Sequence, residues 1–356
     1  MKLHTSTLTG RQIARTRWDT HASAEAFDRK KSDFLTPQAQ SFITQQTQCV
    51  IAGPGLDYEL CGTLTFGRPG FAEAPDQQTC LLHLDKHATS SYLINAITQL
   101  LHDGQEVRLG MFFISHPTRE RLCVQGTAQL LPGKRTIFSF WRTQPTVTLQ
   151  LSVHEAFFHC AKYIKTRIPG LTLPAHRSYP QHYQLLPGSY IQLTRPMRYF
   201  IKQQRLCFLC TINRDGQCAI NHRGGATGFL VALPPHANAP KGAVLLPDYE
   251  GNGAFEAIGN IFETGLATLL IPNYVQQRAL CLAGQAQVQD IADIPREMVQ
   301  LFVGAKRVIK LDVQHAEVQQ GNWSRALASE QARAQRIWAM NTQNTQNAQH
   351  VEGCKL

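Results

Sequence analysis

Leu122-Cys-Val-Gln-Gly-Thr-Ala-Gln-Leu130 and Leu280-Cys-Leu-Ala-Gly-Gln-Ala-Gln-Val288 are one pattern written twice, 158 residues apart. Around them the same offset recurs. Cys49 falls on Cys207 and Gly70-Phe71 on Gly228-Phe229 at 158, Cys61 on Cys218 at 157, Gly110–Ile114 on Ala267–Ile271 at 157, and Leu151–Val153 on Leu311–Val313 at 160. Each match is short, but their common order argues for a duplicated domain, a period far too long for a solenoid. Two like domains fused in one chain form a pseudo-dimer, which leaves a homodimer of the whole chain open.

Within the second copy the pattern is mostly β. Leu206 to Asn213 reads as a strand, Asp215-Gly216 as a hairpin turn, because glycine tolerates positive φ, and Gln217 to Asn221 as the returning strand. Gly242–Leu246, Leu266–Ile271, Arg278–Val288 and Val308–Val313 read as further strands, with a short helix opened by Asn252 or Gly253 and carrying Phe255, Ile258 and Ile261. Six or so strands with one short helix per copy predict a small barrel. The expected layout is an N-terminal arm over 1–41, a first barrel over 42–170, a linker over 171–194, a second barrel over 195–323, and a helix with an unfolded Asn/Gln-rich tail over 324–356.

The chain has 356 residues, 43% of them hydrophobic and 17% charged, enough apolar material for a buried core. No run approaches the roughly 20 apolar residues of a membrane helix, and no secretory leader pattern stands at the start, so neither a membrane nor an extracellular setting is expected. Met1 to Trp18 holds four basic residues and no acid, which reads as a frayed basic terminus or, less readily, as a transit peptide. Ten cysteines lie without metal-ligand grouping. Cys207 and Cys210 are three apart on an expected strand, hence on opposite faces, and predict buried reduced thiols and a cytoplasmic setting.

A net charge of +10 suits an anionic ligand. No acid occurs between Glu155 and Asp215, where Lys162, Lys165, Arg167, Arg177, Arg195, Arg198, Lys202, Arg205 and Arg214 lie, either as a field around a phosphate or as a solvated connector. Asn221-His-Arg-Gly-Gly-Ala-Thr-Gly-Phe229 could expose amides beside the Arg223 fork, or it could be a glycine-rich corner. Pro247-Asp-Tyr-Glu-Gly-Asn-Gly-Ala-Phe255 could bring a helix N-terminus to an anion, with Asn252 as its cap, or be a capped helix that binds nothing.

Taken together, His222-Arg-Gly-Gly-Ala-Thr-Gly-Phe229, Leu245-Leu-Pro-Asp-Tyr-Glu-Gly-Asn252 with Phe255 and Gly259-Asn260 after it, and Leu280-Cys-Leu-Ala-Gly-Gln-Ala286 resemble the pyridoxamine 5′-phosphate oxidase-related FMN-binding proteins. Gly67-Arg-Pro-Gly-Phe71 and His159-Cys-Ala-Lys-Tyr-Ile164 resemble that group's tandem members. The resemblance covers about residues 42 to 323. It implies a mainly β fold of tandem split β-barrels, with FMN held between them. It also implies that His222, Arg223 and Gly224 lie along the flavin or its phosphate, that Asp248, Gly251, Asn252 and Phe255 form the phosphate-end turn, and that Lys162 and Tyr163 approach from the first copy. Asn252-Gly253 stands where true pyridoxal-phosphate-forming oxidases carry Arg-Lys, and the chain ends in Val351-Glu-Gly-Cys-Lys-Leu356 rather than in their Arg-Leu-x-Pro element, so vitamin B6 oxidation is not expected. Thr65-Phe66 stands where the second copy has Arg223-Gly224, so one FMN per chain is expected.

The implied function is a flavoprotein oxidoreductase passing hydride or electrons between FMN and a small-molecule substrate or a donor such as NADH or NADPH. The alternatives are a flavin carrier or sensor without turnover, and a cofactor-free module for an anionic partner. Nucleic acid is not expected, because the basic run has few interleaved aromatics. No catalytic residue and no metal ligand is assigned.

Overall fold

The N-terminal residues are the first departure from expectation. In the computed structural model, which describes residues 8–56, 59–84, 91–132, 147–159, 184–251 and 253–353, the arm holds α1 (Gly10–Arg17), α2 (His21–Asp28) and α3 (Pro37–Thr44), so the basic stretch read as frayed up to Trp18 is helical from Gly10. Thr9 and Gln12 make a reciprocal capping box that starts α1. Its Gly10 packs on the backbone of Gly259, where a β-carbon would stand 2.0 Å from the carbonyl oxygen. Only glycine permits that crossing, and Glu263 accepts the Gly10 N–H at 2.7 Å.

Two antiparallel sheets follow. The first contains β1 (Gln48–Pro54), β2 (Leu60–Phe66), β3 (Ala72–Glu73), β4 (Thr79–Leu84), β5 (Arg108–Ser115), β6 (Glu120–Pro132) and β7 (Val147–Phe158), with α4 (Tyr92–His102) between β4 and β5. The second contains β8 (Gly188–Tyr190), β9 (Leu206–Ile212), β10 (Cys218–Gly224), β11 (Val231–Leu233), β12 (Ala243–Tyr249), β13 (Leu266–Asn273), β14 (Arg278–Asp290) and β15 (Ala305–Gln320). Its helices are α5 (Arg195–Gln203), α6 (Glu256–Thr264) and α7 (Arg296–Val299). The strand orders β2-β1-β5-β6-β7-β4-β3 and β10-β9-β13-β14-β15-β12-β11 are the same order, with β8 added at β15. The fold is a pair of split β-barrels.

Register sharpens the offsets. Gln48 pairs with Phe66 as Leu206 pairs with Gly224, and Val50 pairs with Phe112 as Phe208 pairs with Leu270, so the spacing is 158 through these strands. The two matches drawn at 157 are therefore one step out. Cys61 corresponds to Ala219, and its thiol belongs to the first core, whereas Cys218 faces the layer between the sheets. A slip of one residue exchanges the faces of a strand. Gly126 and Gly284 sit at matching bulges of β6–β7 and β14–β15, and a β-carbon on either would lie 2.0 Å from a carbonyl oxygen of the partner strand.

Among the described residues the apolar side chains gather into two barrel cores, a layer joining them, and a small cluster around Leu245, Phe302 and Val308. The joining layer is built from Val50, Phe112 and Cys123 of the first sheet and Phe208, Cys210 and Leu270 of the second. Cys207 lies in the second barrel's core and Cys210 in the joining layer, the opposite faces that their spacing required. Burial pushes the Cys207 thiol up to about 12. The expected helix after Trp323 is α8 (Ser324–Gly353), which continues through the stretch read as an unfolded tail. Adding turns to a helix that is already docked costs far less than nucleating one. Among the described residues, no helix is long and apolar enough to cross a membrane.

Candidate functional site

At the junction of the two barrels a cleft of about 810 Å³ opens. The second sheet gives it Asn221, Arg223 and Gly224 from the end of β10 and Pro247, Asp248 and Tyr249 from β12. Gly251 and Phe255 come from the turn into α6, Asp290 from β14, and Lys306 and Arg307 from β15. Arg121 and His159 reach it from the first sheet, and Trp18, Thr20, Ser23 and Phe27 from the N-terminal helices.

Its electrostatic centre is Asp248, a buried carboxylate shared by two guanidiniums. Arg223 Nη1 donates to Oδ1 at 2.6 Å, while Arg307 Nε and Nη2 approach Oδ2 at 2.8 and 2.7 Å. Strand pairing dictates this, because Asp248 and Arg307 face each other across β12–β15. Two cations on one anion leave one positive charge over. The Nε of Arg223 is buried without a protein partner, a donor left for a ligand. Arg307 was not foreseen, because it lies on the last strand of the copy, beyond every glycine motif; its pairing opposite Asp248 is visible only in the register.

The turn into α6 differs from the expected one. The cap is Phe255, in a left-handed conformation at φ 54°, and its side chain makes no capping hydrogen bond. Asn252 lies outside the described residues, as do Lys162 and Tyr163. The first residue of α6, Glu256, brings its own carboxylate to the helix N-terminus, where Arg11 at 2.9 Å and Lys31 at 3.0 Å pair with it. Lys31 also reaches Glu155 of the first barrel at 3.1 Å, tying all three parts together.

The glycines serve the backbone more than a ligand. The Gly225 N–H donates to the Arg205 carbonyl at 3.0 Å, and Gly228 takes φ 89° in the following turn. Arg223, Gly224, Asp248, Gly251 and Phe255 line the cleft together. His222 points the other way from β10, against Phe208 with ring centroids 5.9 Å apart. Burial, first of all, holds its imidazole well below the usual range, so it stays neutral. His159, from the resemblance motif of the first barrel, crosses to this cleft; burial and then the charge of Arg121 hold it down to about 3. Among the described residues, the cations of the acid-free run contribute nothing to the cleft wall, whose positive groups are Arg121, Arg223, Lys306 and Arg307. Described His, Cys, Asp and Glu residues form no cluster able to hold a metal ion.

The equivalent place in the first barrel is smaller, about 300 Å³. There Phe66 stands where Gly224 does, and Trp323 stacks on it with centroids 4.3 Å apart.

No family model matches the chain, and no curated protein does. Solved structures match over part of it. A putative pyridoxamine 5′-phosphate oxidase from Lactobacillus delbrueckii is 16% identical, over 36% of this chain and 94% of that one, with a TM-score of 0.29. A pyridoxamine 5′-phosphate oxidase-related, FMN-binding protein from Nostoc punctiforme is 13% identical over 32% and 74%, with a TM-score of 0.20. HutZ of Vibrio cholerae, described as a heme storage protein, is 10% identical over 37% and 92%, with a TM-score of 0.22.

Proposed function

We propose that the protein is an FMN-binding flavoprotein that exchanges hydride or electrons with a small molecule, with NADH or NADPH as the candidate donor. The observation behind this reading is the cleft at the barrel junction with the Arg223–Asp248–Arg307 cluster at one end. Its 810 Å³ lies within the roughly 300–1,000 Å³ of cofactor sites, and its polar groups converge on one cationic end at Arg223. The residues fit the group: the unpartnered Nε of Arg223 and the charge left over at Asp248 suit a phosphate carrying close to two negative charges. Arg223, Gly224 and the turn through Gly251 would hold the phosphate end, and Arg121, His159 and Phe27 would flank the ring. FMN, when bound, supplies the redox chemistry. His159, neutral at physiological pH, offers a hydrogen bond but no proton to spare. Loss of the corresponding space in the first barrel to Phe66 and Trp323 supports one flavin per chain. We read the halves as copies of one ancestral unit, on the strength of the shared strand order and a spacing of 158 residues through β1, β2, β5 and β6 that widens to 160 at β7.

The test is a visible spectrum of the purified protein after incubation with FMN and desalting. A retained flavin spectrum that NADH or NADPH bleaches anaerobically is expected. A retained spectrum that no nicotinamide bleaches would favour a carrier, and no retained flavin at all would refute the reading.

A further inference from the structure

Arg307 has an acidic neighbour on each side. Across β12–β15 it faces Asp248, and across β14–β15 it faces Asp290. Its guanidinium turns to Asp248, and the reason lies in the N-terminal segment. Asp290 is already occupied: the Trp18 indole N–H donates to its Oδ1 at 2.9 Å, and Arg17 pairs with its other oxygen. Anchored there, the Trp18 ring meets Arg307 at 4.5 Å from its centroid and Phe255 meets it at 4.7 Å, so the guanidinium rests against a pair of aromatic rings that themselves touch, 5.0 Å apart. The left-handed backbone of Phe255 is what aims that second ring.

We propose that Trp18 is a positioning residue that commits Arg307 to Asp248 and thereby sets the preference of the cleft for a phosphorylated over an unphosphorylated flavin. This rests on the FMN reading above. With Arg307 on Asp248, two cations share one carboxylate, and the charge of Arg223 is only partly neutralised. Without Trp18, Asp290 loses its indole partner and Arg307 its covering ring, so Arg307 turns toward Asp290 in competition with Arg17, leaving Asp248 to neutralise Arg223 alone. The attraction for a phosphate then falls, while contacts to the isoalloxazine ring are untouched.

The experiment titrates FMN and riboflavin separately into the apo-protein, followed by flavin fluorescence, for wild type, Trp18→Ala, Trp18→Phe and the double variant Trp18→Ala/Asp290→Asn. Trp18→Ala is expected to weaken FMN about tenfold and riboflavin less than about twofold. Trp18→Phe, which keeps a ring and loses the indole N–H, should fall between wild type and Trp18→Ala. The double variant should recover FMN affinity, because Asp290 can no longer compete for Arg307; a residue that merely supported the fold would not be rescued by a second substitution. Equal weakening of both flavins, unchanged FMN affinity, or no recovery in the double variant overturns the proposal. If Trp18→Ala fails to fold, as read by circular dichroism, the ratio of FMN to riboflavin affinity in Trp18→Phe decides alone, and a wild-type ratio there overturns the proposal. Wild type that binds FMN and riboflavin equally refutes the phosphate placement, and wild type that binds neither refutes the FMN reading itself; either result overturns this proposal with it.

Discussion

Replacing Arg223 by alanine separates the role of this side chain in the ligand site from its role in the fold. Its Nη1 sits 2.6 Å from Asp248, its side chain is 22% exposed at the cleft, and its Nε has no partner. One charge-assisted contact to a phosphate is worth about 1.5–3 kcal/mol, so FMN affinity should fall roughly ten- to a hundredfold. The fold should suffer less. Asp248 keeps two short contacts to Arg307, so it is never left as a lone buried charge, and the stability cost should stay near 1–2 kcal/mol. Arg68→Ala is the internal control, because that residue is exposed on the turn after β2 and lines no described cleft, and it should shift affinity by less than about twofold. Isothermal titration of FMN into each apo-protein measures the first quantity and urea denaturation the second. Affinity that survives in a folded Arg223→Ala variant would mean that the phosphate lies elsewhere.

Three further outcomes follow from other parts of the structure. Gly284→Ala should destabilise the second barrel by about 2 kcal/mol or more, since its β-carbon would overlap the Asp312 carbonyl oxygen; urea midpoints at or above wild type would contradict the bulge geometry. Glu330, 2% exposed and accepting from the Thr47 hydroxyl at 3.3 Å, is raised by burial above its ordinary value of 4.5, an effect only partly opposed by Arg333. The folded protein therefore holds that proton longer than the unfolded chain, and the stability Glu330 contributes is present at low pH and lost as pH rises above 4.5 and through the raised value. Glu330→Gln should flatten that slope and stabilise the protein at pH 7 by up to about 1 kcal/mol, and an identical stability-versus-pH curve would count against it. The Cys207 and Cys210 thiols, both driven up by burial, should resist iodoacetamide in the native protein and react only in denaturant; peptide mass spectrometry reads the difference.

Much of the architecture could be read without coordinates, because it is written in local patterns. The Leu122–Leu130 and Leu280–Val288 strands, the Asp215-Gly216 hairpin and the opposite faces of Cys207 and Cys210 each need only periodicity and glycine chemistry. The glycine-rich segment and the Pro247–Phe255 turn likewise name themselves, and the expected site residues Arg223, Gly224, Asp248, Gly251 and Phe255 line one cleft. The 157-residue matches failed where two apolar residues stood side by side: Phe112 and Phe113 are equally hydrophobic, and only the ladder tells which one faces the second barrel.

Local pattern thus determined the kind of fold, its repetition and the strand ends that bear the candidate ligand groups, since helix and strand periods and turn residues act over a few positions of chain. Tertiary structure alone decided which charges meet. Arg307 reaches Asp248 across a strand pair 59 residues apart, and Trp18 reaches Arg307 and Asp290 from the opposite end of the chain. Electrostatic and aromatic contacts depend on distance in space, and for residues so far separated in sequence that distance exists only once the barrels have closed and the N-terminal helices have docked on them.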